Sequence, residues 1–299
     1  MMRLLGTVFA GLLGLAFGSF LNVCLSRWPA GESIVTPRSH CRQCGRTLAW
    51  WENVPLVSWL ALRGRCRTCR AWIGWRYPLV ELAIGALWAY TFWGAAFQLT
   101  SPGFSFASED AILAYIELEL AVGTMAFFWL LIGLAVLDAE HFWLPDLITL
   151  PGIALGIIFR GALIGQLQWF FLVNPWPWIL KALGGRLLSV VLATSLILLI
   201  RWLYWLIRRR EGIGLGDAKL MAMLAAWLGL PGALLAFGLG VVLGALVAVV
   251  LLAIPAAHSG SGAWALKKLP LGTFLCVGGI ASGLWGQQII AAYLRWAGF

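Results

Sequence analysis

The chain has 299 residues, of which 62% are hydrophobic and 11% are charged, and its formal net charge is +9. A soluble domain carries about 25% charged residues, and a globule of this composition could not cover its surface with polar side chains, so the soluble globular and disordered classes are both excluded. Nineteen Trp residues are typical of a protein that meets two water–lipid interfaces. The composition therefore predicts an all-α polytopic membrane protein.

The apolar stretches predict about eight transmembrane helices. The first covers 1–25, and because no cleavage site of a signal peptide follows it, we interpret it as a retained helix. A shorter run near 217–230 ends at a Leu-Pro-Gly turn, so the count is eight if it crosses and seven if it is re-entrant. The remaining runs of spanning length lie near 78–98, 111–137, 146–165, 184–207, 233–256 and 270–294.

The distribution of positive charge predicts the orientation of these helices. Segment 26–77 holds nine Arg against two Glu, and short basic loops lie on the cytoplasmic face. With this loop inside, the basic residues at 208–210 and 267–268 also fall inside, whereas 99–110 and 166–177, which contain no Lys or Arg, fall outside. The pattern favours eight spans in a lipid bilayer, and it favours topology determination over a nucleic-acid partner.

Four of the six Cys residues form two CxxC pairs in the loop between the first two helices, Cys41 with Cys44 and Cys66 with Cys69. Each pair can place two thiolates on one knuckle, and two knuckles complete a tetrahedral zinc site. Two disulfides are the alternative, which the reducing cytoplasm disfavours. Because four thiolates leave no open coordination position, the predicted zinc is structural.

Two aspartates stand at the ends of predicted spans, where each needs an explanation because acidic residues are costly in lipid. Asp138 ends the third span, and Asp217 begins the sixth after Gly212, Gly214 and Gly216. Two crossings separate them, so both fall at the same face. Two close carboxylates share a proton and can divide base and acid roles on a peptide bond. A helix N-cap for Asp217 and a solvated helix end for Asp138 remain the alternatives.

Four ordered motifs together carry a resemblance that covers nearly the whole chain. They are Gly18-Ser-Phe-Leu-Asn22, the two CxxC pairs, Asp138 with Leu144-Pro145-Asp146, and Gly214-Leu-Gly216-Asp217-Ala-Lys219. In this order they resemble the bacterial type IV prepilin peptidases, and the last resembles the GxGD motif of intramembrane aspartic proteases.

The resemblance implies a bifunctional enzyme of the bacterial inner membrane. It would cleave the basic leader peptide of type IV prepilins and pseudopilins at the cytoplasmic face, and then methylate the new N-terminal residue with S-adenosylmethionine. It implies Asp138 and Asp217 as the catalytic pair and the four loop Cys as zinc ligands. The other residues of the two aspartate motifs would support the catalytic pair; they are Pro145, Asp146, Gly214, Gly216 and Lys219.

The resemblance also implies a division of the chain into a first helix at 1–25, a zinc loop at 26–77 and a peptidase domain at 78–299. It associates methyl transfer with the zinc loop, where Gly64 is the candidate for cofactor binding. Glu81 is a second candidate because a carboxylate in a span is costly, although it could equally be a buried structural partner. No GxGxxG motif follows a predicted strand, so only the resemblance supports methyl transfer.

Rival interpretations use the same residues differently. Paired acidic residues can carry protons or cations in a transporter, which would place them near the bilayer midplane. Zinc metalloprotease chemistry is disfavoured because the sequence has no HExxH. For a basic leader, the acids Glu140, Asp146 and Glu211 are candidate contacts on the cytoplasmic face. No oligomeric state is predicted.

Overall fold

The computed structural model describes residues 1–97, 109–170, 174–210, 214–253 and 269–298. Within these ranges the regular elements are helices, with two 3₁₀ turns at Trp28–Ala30 and Trp50–Asn53. The α-helices are, in chain order, α1 Met2–Arg27, α2 Val57–Ala61, α3 Arg76–Ala95, α4 Glu109–His141, α5 Asp146–Phe170, α6 Trp176–Arg208, α7 Leu215–Ala253 and α8 Leu271–Trp296.

The all-α membrane architecture is confirmed, whereas the count of eight spans is not. Six of the described helices, α1 and α4 to α8, are long and apolar enough to cross a membrane. The predicted span at 78–98 forms α3, which is not among the six; it contains Glu81 as well as several Trp and Tyr residues, and it is therefore less apolar than the others. The two predicted runs at 217–230 and 233–256 correspond to the two segments of α7, which is broken between them at Gly229.

The contacts divide the chain into two compact units, Met1–Gly133 and Leu134–Phe299. In the first unit, α1 and α3 approach closely through small residues. A Cβ atom added to Gly14 would lie 2.9 Å from the Cα atom of Gly85, and one added to Gly18 would lie 2.7 Å from the Cα atom of Glu81. Small residues of this kind allow helices to associate in lipid through backbone packing.

In the second unit, α7 is broken at Gly229, where the backbone leaves the helical region with φ 75° and ψ 175°. Contacts with α8 show that the chain direction reverses there. Gly232 accepts a hydrogen bond of 2.8 Å from Ser282, whereas farther along the chain Gly240 packs against Leu275, near the start of α8. The second segment of α7, 230–253, is therefore antiparallel to α8.

The first segment of α7, 215–228, is the shorter of the two. Fourteen residues of α-helix extend about 21 Å, which is less than the hydrocarbon core of about 30 Å. Nearly all side chains from Ala218 to Trp227 are buried in the protein. This segment is thus packed inside its unit from Ala218 onward, and Asp217 lies half-buried at its start.

The close approach of α1 and α3 generates a prediction about stability. Gly18→Ala should lower the melting temperature of the detergent-solubilised protein by about 4 °C or more, because the added methyl group meets backbone atoms that cannot move aside. Gly94→Ala is the matched control, since a Cβ atom there has open space within the same pair of helices. Equal melting temperatures for both variants would contradict this packing.

Candidate active site and metal centre

Asp138 lies near the end of α4 and is buried, with 6% of its surface exposed. Its Oδ2 atom accepts the backbone N–H of Thr273 at 2.7 Å. The Thr273 hydroxyl has a single proton to donate, and it lies 3.0 Å from the carbonyl oxygen of Ala135 and 3.2 Å from Oδ2. Thr273 is the third residue of α8, so its N–H is one of the donors that a helix N-terminus leaves unpaired. The first turn of α8 thus holds the Asp138 carboxylate in place.

Asp217 is the third residue of α7 and is half-buried. Its Oδ2 atom accepts a hydrogen bond of 3.2 Å from the backbone N–H of Gly214, just before the helix. This is the return contact of a capping box, in which an acidic side chain at the third position pairs with the residue before the helix. Asp217 is therefore not the N-cap residue itself, but its side chain pairs with the residue before the helix, and its other carboxylate oxygen stays available.

The side chain of Leu144 packs against the helix starts that lie next to both aspartates. A Cβ atom on Gly216 would lie 3.1 Å from the Cβ atom of Leu144, and one on Gly272 would lie 3.0 Å from its Cδ1 atom. The same position on Gly272 would lie 2.9 Å from Asp138 Oδ2. The carboxylates of Asp138 and Asp217 are also near enough to interact electrostatically. The second unit therefore brings together the two residues that the sequence paired across 79 positions.

The remaining predicted residues of these motifs fix the surrounding helix ends. Pro145 precedes α5, and its carbonyl accepts the N–H of Thr149 at 3.1 Å. Asp146, the first residue of α5, pairs with Lys219 of α7 at 2.5 Å between Oδ1 and Nζ. Both side chains of this pair are exposed, so its contribution to stability is about 0–1 kcal/mol. Its main effect is to join the starts of α5 and α7.

The structure describes two of the three acidic residues that the sequence suggested for leader recognition. The side chain of Glu140 is 38% exposed, and that of Asp146 is engaged with Lys219. Glu211 and Gly212 lie outside the described residues, as do Lys267 and Lys268.

The four loop Cys residues lie in the first unit and form one cluster. The Sγ atoms of Cys41, Cys44, Cys66 and Cys69 all lie within 4.8 Å of one another, and those of Cys41 and Cys69 are 3.8 Å apart. A tetrahedral zinc with Zn–S bonds of about 2.3 Å requires sulfur atoms about 3.8 Å apart. The cluster could therefore hold a metal ion of this kind.

The two CxxC pairs adopt the same local fold, which explains how they converge. In the first knuckle, the N–H of Cys41 donates to Arg46 at 2.9 Å, and in the second the N–H of Cys66 donates to Ala71 at 2.9 Å. Hydrogen bonds from the backbone N–H groups of Cys69 and Thr68 lower the pKa of the Cys66 thiol to about 6. That thiol is therefore largely a thiolate at neutral pH, the form that binds metal.

An ion pair supports the first knuckle. Arg46 pairs with Glu52 at 2.6 Å, and the other carboxylate oxygen of Glu52 accepts the N–H of Ala49 at 2.7 Å. The Arg46 guanidinium is the main reason that the pKa of Glu52 lies below its usual value. This pair closes the turn that follows the first two Cys.

Gly64 lies beneath a group of three tryptophans, Trp59, Trp72 and Trp75, whose ring centroids are 4.6–5.9 Å apart. A Cβ atom on Gly64 would lie 2.8 Å from both Trp59 and Trp72, and its φ is +66°. The side of Gly64 where a Cβ atom would project is therefore filled by indole rings. These rings form a small core beside the cysteine cluster.

Glu81 is buried in α3, with 6% of its surface exposed. Its Oε2 atom accepts the backbone N–H of Leu56 at 2.8 Å, and Leu56 has a positive φ of 58°. Glu81 therefore anchors the turn that precedes α2. This contact is the structural partnership that the sequence left as one of two alternatives.

Thr273 is the site residue that the sequence did not single out. It lies 135 positions after Asp138, on another helix, and threonine is common in transmembrane helices. The neighbouring residues Pro270-Leu271-Gly272 are consistent with a helix start, and Gly272 lies where the backbone closely approaches the Asp138 carboxylate.

Comparisons with known proteins show the family to which the chain belongs. Residues 12–95 match a model described as the bacterial peptidase A24 N-terminal domain, and residues 125–249 match one described as the type IV leader peptidase family. No solved structure matches the chain.

Curated relatives named prepilin leader peptidase/N-methyltransferase align with most of the chain. The protein of Stutzerimonas stutzeri is 34% identical, with 95% of this chain and 92% of that protein covered. The protein of Pseudomonas aeruginosa is 33% identical, with coverage of 96% and 93%, and that of Burkholderia pseudomallei is 36% identical, with coverage of 93% and 85%. The chain therefore belongs to the type IV leader peptidase family and is a peptidase with methyltransferase activity.

Proposed function

We propose that this chain cleaves the basic leader peptide from prepilins and pseudopilins at the cytoplasmic face of the bacterial inner membrane, and then methylates the new N-terminal amine. The observation that carries the proposal is the pair of Asp138 and Asp217, each held at a helix N-terminus on either side of Leu144. The names of the relatives support the substrate class. The nine Arg in segment 26–77 support the orientation.

The proposed cleavage step uses the two carboxylates in different protonation states. The backbone N–H of Thr273 donates to Asp138 at 2.7 Å, whereas that of Gly214 donates to Asp217 at 3.2 Å. The shorter bond favours the charged form more at Asp138, so we assign Asp138 as the base. Asp138 takes a proton from water, the water oxygen attacks the scissile carbonyl carbon, and Asp217 gives its proton to the carbonyl oxygen. The C–N bond then breaks as Asp138 gives its proton to the amine nitrogen and a hydroxyl of the intermediate returns a proton to Asp217, so that hydrolysis consumes one water and restores both carboxyl groups.

The motif residues around the pair act by positioning. Gly216 and Gly272 lack the Cβ atoms that would collide with Leu144, so the starts of α7 and α8 can both approach this side chain. The pair formed by Asp146 and Lys219 fixes the start of α7 two residues after Asp217. A transporter that uses the same carboxylates is not supported by the family or by the relatives' names.

For methyl transfer, the donor that the name of the activity implies is S-adenosylmethionine, whose sulfonium methyl would pass to the amine nitrogen. Gly64 leaves no space for this donor on the side where a Cβ atom would project, because Trp59 and Trp72 occupy it. Glu81 is engaged with the backbone of Leu56. We therefore assign no methyl-transfer step to these two residues, and we propose that Gly64 acts by maintaining the fold of the loop.

For the cysteine cluster, we propose one structural zinc ion. The sulfur spacing and the thiolate character of Cys66 support it, and four thiolates leave no position open for a reacting water. The ion would join the two knuckles of a loop whose other core consists of the three tryptophans.

The assignment of the aspartate pair predicts that Asp138→Asn and Asp217→Asn each reduce kcat by about a thousandfold or more, because either change removes one of two carboxyl groups that act together. Release of the leader from a synthetic prepilin, followed by mass spectrometry, measures this. Glu140→Gln is the matched control on the same helix end, and its kcat should stay within about threefold of wild type. Near-normal turnover by either asparagine variant would refute the pair.

The zinc proposal predicts about one zinc ion per chain by elemental analysis of protein purified under reducing conditions. Cys44→Ser should lose the metal, since three thiolates bind it less tightly than four. Cys24→Ala, which changes a buried Cys within α1, should retain it. Metal-free wild-type protein with four reduced loop cysteines would contradict the proposal.

The position of Gly64 predicts that Gly64→Ala releases zinc and loses methyl transfer together, because the added methyl group displaces two indole rings. Gly45→Ala is the matched control, since Gly45 also has a positive φ of +72° but faces open space, and it should lose much less of both. Zinc content and product methylation are measured on the same preparation. Full zinc content in Gly64→Ala without methylation would instead place Gly64 in contact with the methyl donor.

A further inference from the structure

Two arginines in the membrane-spanning helices of the second unit have no role in the proposed chemistry. Arg160 lies in α5 and Arg186 lies in α6, and both converge on the break in α7. Among the residues that the structure describes, neither guanidinium pairs with a carboxylate. Charged side chains within a span are costly and normally find a partner of opposite charge.

Arg160 is explained only in part by the helix break. Pro231 has no backbone N–H, so the carbonyl of Trp227, four residues earlier, loses its helical donor. Arg160 replaces this donor, with 3.2 Å between its Nε atom and the carbonyl oxygen. One hydrogen bond to a neutral carbonyl leaves the positive charge of the guanidinium uncompensated.

Arg186 makes no such bond with any residue that the structure describes. Its Nη1 atom is buried without a hydrogen-bond partner among these residues, and it lies 2.9 Å from the position of a Cβ atom on Gly229. The two guanidinium groups also repel each other across the break. Two cations that meet in this way are stabilised by an anion that both can contact.

An anion can reach the two guanidinium groups, because Arg160 and Arg186 are each only partly buried. Arg160 lies 14 residues after Asp146 in α5, which is about 21 Å along the helix. From this depth a long arginine side chain reaches the membrane surface opposite the aspartate pair, where lipid phosphates lie.

We propose that Arg160 and Arg186 form a binding site for a phosphate group at the break in α7. The phosphate comes from an anionic phospholipid headgroup or from free phosphate, and guanidinium groups are well suited to either because they bind phosphate through paired hydrogen bonds. When bound, the phosphate neutralises the two charges and fixes the break between 215–228, the segment that carries Asp217, and 230–253. This inference does not depend on the proposed peptidase mechanism.

The test measures the melting temperature of the full-length protein in a nonionic detergent during titration with three probes: phosphatidylglycerol, diacylglycerol with the same acyl chains, and inorganic phosphate. Phosphatidylglycerol should raise the melting temperature of the wild type saturably, by about 3 °C or more. Arg186→Gln should require about tenfold more of it, a loss of about 1.4 kcal/mol in binding. An equal rise with inorganic phosphate alone would identify free phosphate as the source.

The matched control is Lys181→Gln, which removes an exposed cation from the same helix and should leave the titration unchanged. Arg186→Lys, which keeps the charge, should fall between wild type and Arg186→Gln. If Arg186→Gln does not fold, native mass spectrometry of the wild type supplies the readout, with one retained phospholipid or phosphate per chain expected. Equal stabilisation by diacylglycerol, equal affinity in wild type and Arg186→Gln, or a wild type without bound phosphate would overturn the proposal.

Discussion

Hydrogen bonds from helix N-termini to the two aspartates are the interactions on which the second unit of this protein depends. Lipid supplies no donors, so a carboxylate at the end of a spanning helix must find them within the protein. The start of α8 provides them for Asp138, and the residue before α7 provides one for Asp217. Because helix N-termini also carry partial positive charge, they stabilise the negative charge that the proposed chemistry requires.

The break in α7 makes this arrangement possible. A straight helix of 39 residues would extend about 58 Å, far more than the thickness of a bilayer core. The non-helical backbone at Gly229 and the missing N–H at Pro231 allow the chain to turn back, so that a short buried segment presents Asp217 at one end. The turn leaves carbonyl oxygens without helical donors, and Arg160 compensates for one of them. Polar groups at both ends of segment 215–228 are thus hydrogen-bonded within the protein. Gly214 donates to Asp217 at its start, and Arg160 donates to the Trp227 carbonyl at its end.

Much of this could be predicted from the sequence because composition and spacing act locally. The apolar composition determines the membrane class, and the two CxxC pairs bring four thiolates together because each knuckle is closed by bonds between near neighbours. Charge distribution placed the two aspartates at one membrane face, and the second unit brings them close together.

The contacts between distant helices could not be predicted in this way. Thr273 holds Asp138 from another helix, and nothing in the local pattern around either residue specifies the other. The apolar pattern predicted two runs divided by a Leu-Pro-Gly turn, and α7 has a segment on each side of a break there. Whether the first segment crosses the membrane could not be predicted, because this depends on its packing against other helices. For Gly64, nothing in the local pattern predicts that Trp59 and Trp72 fill the side where a Cβ atom would project.

The central claim is that Asp138 and Asp217 act on one peptide bond from opposite sides. The most direct measurement is an experimental structure of the wild-type enzyme with a prepilin peptide in which a hydroxyl-bearing carbon replaces the scissile carbonyl. The account predicts that this hydroxyl lies within hydrogen-bond distance, about 2.5–3.0 Å, of a carboxylate oxygen from each aspartate. A peptide bound in its cleavage register with the hydroxyl against only one of the two carboxylates, or against neither, would contradict it.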